Sequence, residues 1–170
     1  MKFDLIYKDL KKLNDFEYEI YEGDSDYLNA YIGVIQDALR ASENVTFELN
    51  CLGEDWNVMV FYDFSLFTEH LLDIYQLCDK EKDASYAMWY YEDGIDRDIL
   101  FTKVDHDTVK IENVSGEKWI TPISAEYMTT SGLKAECVNF VQKIKEAISM
   151  LYPEINELEM IQEWYRKFGV

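Results

Sequence analysis

The residues SYAMWYYEDGIDRDILFTKVDHDTVKIENV, 85–114, decide the fold. Three runs rich in β-branched and aromatic residues, 85–92, 98–104 and 108–114, are parted by Asp93-Gly94 and by Asp105-His106-Asp107. Gly and Asp are turn formers, so the pattern predicts an antiparallel meander of three strands. In the first run both parities are apolar: Tyr86, Met88 and Tyr90 alternate with Ala87, Trp89 and Tyr91. That suits a central strand covered on both faces. The other reading leaves one aromatic row exposed as part of an interface, where Trp and Tyr act as anchors.

Upstream, VTFELNCL and WNVMVFYDF flank Gly53-Glu54-Asp55 and predict a hairpin. A helix over about 65–79 follows, with Phe67, Leu71, Ile74 and Cys78 at helical spacing. Nearer the start, Phe16-Glu17-Tyr18-Glu19-Ile20 alternates apolar and acidic residues, the period of a strand with one wet face. Residues 1–7 predict a companion strand. Asp24 or Ser25 would then cap a helix whose stripe is Leu28, Tyr31, Ile32, Ile35 and Leu39. Downstream, Leu133, Cys137, Phe140, Val141, Ile144, Ile148 and Leu151 keep helical spacing until Pro153, and Ile155, Leu158, Ile161, Tyr165 and Phe168 mark a last amphipathic helix. The expected fold class is α+β: an antiparallel sheet of about five to seven strands packed against amphipathic helices, with a helical C-terminus, in one domain over 1–170.

Apolar residues make up 48% of the 170, with 7 Gly and 2 Pro, which favours a packed chain over a disordered one. The opening MKFDLIYKDLKK lacks the apolar stretch of a signal peptide, and no segment approaches the ~20 apolar residues of a membrane span. Cys51, Cys78 and Cys137 are odd in number, widely spaced and set among apolar neighbours, as buried free thiols are. These features together predict a cytoplasmic protein.

The net charge of −18 is uneven. Residues 13–79 hold fifteen acids against Arg40 alone, a local charge of −14, and the stretch DFEYEIYEGDSD, 15–26, has six acids and no Lys or Arg. Alternate carboxylates on a strand, about 7 Å apart, repel by only about 0.6 kcal/mol in water, so such a row is tolerable when exposed. A field of one sign disfavours nucleic acid and anionic membrane as partners and favours a cationic protein, captured by electrostatic steering. Protection of a sheet edge by charge would account for part of the row. The near absence of cations over so long a stretch points beyond it, because ordinary surfaces mix both signs.

Catalytic signatures are missing. Asp105-His106-Asp107 offers metal-ligand types, but it sits at a predicted turn and His70 is the one other histidine, whereas a catalytic zinc site usually takes three protein ligands. His70 has no accompanying nucleophile motif and reads as structural. In DGIDRD, 93–98, position six is Asp98 where an EF-hand needs Gly, so a loop with Arg97 paired to a nearby acid is expected instead. No glycine loop for phosphate is present. No catalytic residue, metal or cofactor is therefore expected. The alternatives carried forward are a small hydrolase, metal-dependent or using a carboxylate pair, and a general acidic adaptor or DNA mimic.

The acidic N-terminal half, the aromatic meander YAMWYYEDGIDRDILFT and the helical end together resemble the immunity proteins of bacterial polymorphic-toxin and contact-dependent growth inhibition systems. The resemblance implies binding and blocking a cognate toxin domain, often a nuclease with a basic substrate groove. The expected docking surface comprises Asp15, Glu17, Glu19, Glu22, Asp24, Asp26, Glu54 and Asp55, with Trp56 as the anchor.

Overall fold

The computed structural model describes residues 1–12, 16–20, 27–42, 44–92, 95–116 and 119–170. The fold is α+β, with the described strands in two antiparallel sheets of three and four strands. In the first sheet, β1 (Lys2–Tyr7) pairs with β2 (Val45–Cys51), which pairs in turn with β3 (Glu54–Trp56). Phe3, Leu5, Phe47, Leu49 and Cys51 point inward and are buried, while Lys2, Thr46 and Glu48 are exposed, as the period of two requires. The β2–β3 turn puts Leu52 and Gly53 at φ of 55° and 81°, the positive values a tight two-residue hairpin needs at both central positions. Glycine accepts this freely. Leu52 is held there by the burial of its side chain.

The second sheet is the predicted meander extended by one strand. Its order is β4 (Ser85–Glu92), β5 (Ile95–Lys103), β6 (Thr108–Asn113) and β7 (Ala125–Thr129), each antiparallel to the next. Met88, Tyr90, Ile99, Phe101, Val109 and Ile111 form its inner face and are fully buried.

Between the β3 and β4 strands lies α2 (Asp63–Leu77), and before β2 lies α1 (Leu28–Ala41). After β7 come α3 (Thr130–Leu151), α4 (Pro153–Asn156) and α5 (Glu159–Lys167). Thr129 ends β7 and caps α3, its hydroxyl accepting from Gly132 N–H at 3.0 Å. Pro153 stops α3 and starts α4, where its missing N–H costs nothing. Phe140 of α3 lies against Phe3, Phe47, Phe64 and Phe67 at ring-centroid distances of 5.5, 5.7, 6.0 and 5.8 Å, so strands and helices meet on one aromatic nucleus. The inward side chains of both sheets belong to a single contiguous cluster. Among the described residues, no helix is long and apolar enough to cross a membrane.

Three local expectations differ from the structure. Phe16–Glu17–Tyr18–Glu19–Ile20 is not a strand; β1 pairs with β2 instead. The alternation is nonetheless real: Phe16, Tyr18 and Ile20 pack against the core and Glu17 and Glu19 are exposed, with Phe16 stacked on Tyr152 at 4.3 Å. Side-chain packing on the core, with Tyr152 between α3 and α4 under Phe16, replaced strand pairing as the cause of the pattern. The strand expected over WNVMVFYDF ends at Trp56, because Asp63 accepts from Met59 N–H at 2.6 Å and turns the chain into α2. Finally, Asp24 and Ser25 lie outside the described residues, and α1 begins after Tyr27 with no side-chain cap.

Candidate functional site

Those of the sequence-predicted docking residues that the structure describes do not share one surface. Asp15, Glu22, Asp24 and Asp26 lie outside the described residues. Glu17 and Glu19 sit beside Tyr152, just past the end of α3, whereas Asp55 faces Asn50, the residue paired with Lys2. Tyr7, at the other end of β1, reaches Glu146 of α3 at 3.0 Å, so the two acidic groups stand at opposite ends of β1, about 20 Å of strand apart. Asp55 borders a polar groove of about 720 Å³ on the outer face of the first sheet, with Asp4, Glu48 and Asn50. Within it Asn50 donates to Asp55 at 2.7 Å, and Asp4 at its border is paired with Lys143 of α3 at 2.5 Å.

Trp56 is not an exposed anchor. It is 4% exposed because it pairs with Leu49 on the inward parity of β3. Its ring meets that of Trp119 edge to face, and the Arg97 guanidinium lies against both, at 4.4 and 4.6 Å. Glu54 completes the cluster: Arg97 Nη2 lies 2.6 Å from its carboxylate and Trp119 Nε1 donates to it at 3.1 Å. Arg97 is thus paired to an acid as expected, and that acid is Glu54, which is thereby taken out of the docking surface. Burial holds the Arg97 guanidinium below its usual range against the opposing charge of Glu54. The cluster fastens β5 to the β2–β3 hairpin, assisted by Ile123 N–H donating to Leu52 O and Gly53 N–H donating to Glu126.

The residues singled out for chemistry are structural in their surroundings. Asp105-His106-Asp107 is the β5–β6 loop, where Asp105 accepts from Asp107 N–H at 2.9 Å, and this bond holds its carboxyl below the usual range. Among the described residues, no three His, Cys, Asp or Glu are grouped to hold a metal ion. All three cysteines are free and buried, and burial pushes their thiols up, Cys51 to about 12.

His70 of α2 lies behind β4, its Nδ1 2.6 Å from the Tyr86 hydroxyl. Its Nε2 is buried and makes no well-formed hydrogen bond, the Trp89 backbone compensating only in part. Burial pushes the imidazolium below the usual histidine range, although Asp73 opposes the shift. Folded His70 therefore resists protonation while the unfolded chain accepts it from about pH 6.5 downward, so the unfolded state binds more protons and acid favours it. Stability is expected to fall as pH drops from about 7 to 5.5, and His70→Gln, facing the same Tyr86, Asp73 and Glu69, to flatten that part of a urea-midpoint curve. Burial raises the Glu69 carboxyl, which acts in the opposite sense nearer its own range at lower pH. An unchanged slope in the variant would mean that His70 titrates as freely folded as unfolded.

What remains unabsorbed by the fold is the outer face of the second sheet. The register sets Tyr91 opposite Asp96, Trp89 opposite Asp98, and Ala87 opposite Leu100 and then Glu112, with Tyr127 opposite Lys110 on the far edge. Helices cover the inner face. On the outer face Trp89, Tyr91 and Tyr127 are 58, 54 and 64% exposed. Of the four tryptophans, Trp89 is the exposed one; Trp56, Trp119 and Trp164 are buried. Tyr91 donates to Asp98 Oδ1 at 2.5 Å, and this bond pushes its phenol up to about 12. Lys110 is ion-paired with its neighbour Glu112. The face is therefore aromatic and acidic, and its cation is already engaged. Val114, which follows β6, and Ile120 and Ile123 of the β6–β7 loop add exposed apolar groups at its border.

Comparison with protein-family models, with curated proteins and with solved structures returns no match. The functional reading therefore rests on this geometry.

The composition of SYAMWYYE already held both readings of its aromatic rows. Deciding between them required Asp96 and Asp98, which share a parity on β5; the β4–β5 register places them opposite Tyr91 and Trp89, and carboxylates on that side mark it as wet. That signal is present in the chain itself.

Proposed function

We propose that this protein is a binding protein that captures a cationic partner protein on the open face of its four-stranded sheet, as an immunity protein captures its cognate toxin. The supporting observation is the pair Trp89 and Tyr91, exposed directly beside Asp98 and Asp96. Trp and Tyr are the residues that most often carry binding energy at interfaces, and carboxylates around them select a basic counterpart. A second copy of this chain is a poor occupant, because face-to-face pairing would oppose like charges. Four strands about 4.8 Å apart give a face about 15 Å wide and 25 Å long, roughly half the ~800 Å² per partner of a standard interface. The exposed β6–β7 loop would supply part of the remainder.

In this reading the protein acts in the cytoplasm, uses no cofactor, and works by covering the basic active-site or substrate surface of a toxin domain such as a nuclease. The acids of residues 13–79, Glu17, Glu19 and Asp55 among them, contribute the long-range field that speeds encounter, and the sheet face makes the contact. A tagged pulldown from the native cell at moderate salt, followed by mass spectrometry, is expected to recover one dominant basic protein that poisons cells when expressed alone and is silenced by this chain. Reversing Asp96, Asp98 and Glu112 to lysine should slow its association roughly tenfold or more and flatten the salt dependence. A crowd of basic proteins released together at high salt would instead indicate a general mimic, and unchanged kinetics would remove the sheet face from the interface.

A further inference from the structure

We infer that the corner of the open face formed by Trp89, Tyr91 and Asp98 is a seat for an arginine side chain of the partner, with the guanidinium stacked on the Trp89 ring and paired to the Asp98 carboxylate. The inference rests on the reading above and specifies its chemistry. Trp89 and Asp98 are directly opposed across β4 and β5, which sets their Cβ atoms about 5 Å apart. A flat cation lying on the indole can therefore reach the carboxylate without spanning a gap.

The carboxylate is held in place before any partner arrives. Tyr91 donates to Asp98 Oδ1 at 2.5 Å, Asp98 N–H donates to Ser115 Oγ at 2.6 Å, and Val114 N–H donates to Asp98 O at 2.9 Å. Fixing both backbone and side chain lowers the ordering cost of binding. Tyr91 takes Oδ1 of the carboxylate and leaves Oδ2 to accept from an incoming donor.

The chain holds its own guanidinium with the same groups. Arg97, on the opposite parity of the same strand, lies against both Trp56 and Trp119 with Glu54 as its carboxylate, and Arg40 lies 3.6 Å from the centre of the Phe61 ring. Trp89 with Asp98 repeats one half of the Arg97 clip, turned outward and unoccupied by any described cation of the chain. Arginine is distinguished from lysine here because its planar fork stacks and pairs at once, whereas an ammonium is a compact, more strongly hydrated charge.

The test uses octa-arginine and octa-lysine, equal in length and charge, titrated into the intact protein at physiological salt with affinities read by calorimetry, which needs no tryptophan reporter. Because the other three tryptophans are buried, acrylamide quenching of tryptophan emission reports mainly on Trp89. Octa-arginine is expected to bind roughly three- to tenfold tighter than octa-lysine and to shield Trp89 from quenching. Trp89→Ala and Asp98→Asn should each bring the two affinities toward equality; Trp89 is exposed, and asparagine keeps an acceptor for Tyr91, so neither change disturbs the core. Equal affinities in the parent protein, or a preference that survives Trp89→Ala, would overturn the seat. Recovery of a cationic partner whose affinity ignores Trp89→Ala would likewise overturn it while leaving capture of such a partner standing. An intact, Trp89-dependent arginine preference in a protein that recovers no partner would count against the capture reading alone.

Discussion

Replacing Phe140 by alanine removes about 3–5 kcal/mol of folding stability, measured as the shift in a urea unfolding curve. The effect is large because Phe140 is 1% exposed and its ring meets those of Phe3, Phe47, Phe64 and Phe67. Those four come from β1, β2 and α2, elements whose backbones are fixed by sheet pairing or helix packing, so the cavity cannot collapse. Aromatic pairs also contribute about 0.5–1.5 kcal/mol each beyond the area they bury. For a domain of ordinary stability, about 5–15 kcal/mol, such a loss brings the chain near its unfolding threshold. Phe140→Leu should recover most of it. A loss below about 1 kcal/mol for the alanine variant would mean that α3 does not pack on this nucleus.

Arg97→Met is the second large effect, about 2–3 kcal/mol. Glu54 keeps only 27% of its side chain in solvent, so without the guanidinium it stands as a mostly buried charge with Trp119 Nε1 as its remaining donor. Two indole rings lose their cation at the same time. The double variant Arg97→Met with Glu54→Gln should be more stable than Arg97→Met alone, because the stranded charge has gone. Trp119 should also become more accessible to acrylamide in the single variant, as the contact between β5 and the β2–β3 hairpin loosens. If the single and double variants unfold alike, the ion pair contributes nothing and the cluster is held by ring packing.

Periodicity carried much of the fold. The stripe of α3 from Leu133 to Leu151, its stop at Pro153, the meander and the β2–β3 hairpin were legible, because each depends on neighbours a few residues apart, although the hairpin turns at Leu52-Gly53 and not at Gly53-Glu54-Asp55. Strand β7 was not. Ala125-Glu126-Tyr127-Met128-Thr129 is short and nowhere fully buried, and it is a strand because β6 offers a free edge beside it. The same limit explains Phe16–Ile20: alternation reports which side chains are covered, not whether a sheet or a helix surface covers them.

The candidate site divides along the same line. Charge of one sign, an aromatic-rich middle and the class of partner these favour are properties of the chain and need no coordinates. Which acids stand together was decided by the tertiary structure, because proximity depends on strand register and packing over long separations. Glu17 and Asp55 are joined by sequence character and separated by the length of β1, whereas Trp89 and Asp98, nine residues apart, are brought face to face by the pairing of β4 with β5. Trp56 looked available as a large aromatic in a turn region and proved to be one wall of the Arg97 clip, since the pairing of β3 with β2 fixed its parity inward. Local sequence determines the period of each element. The tertiary fold determines which side of that period meets water, and in this protein that choice places Trp89 and Tyr91 on the surface.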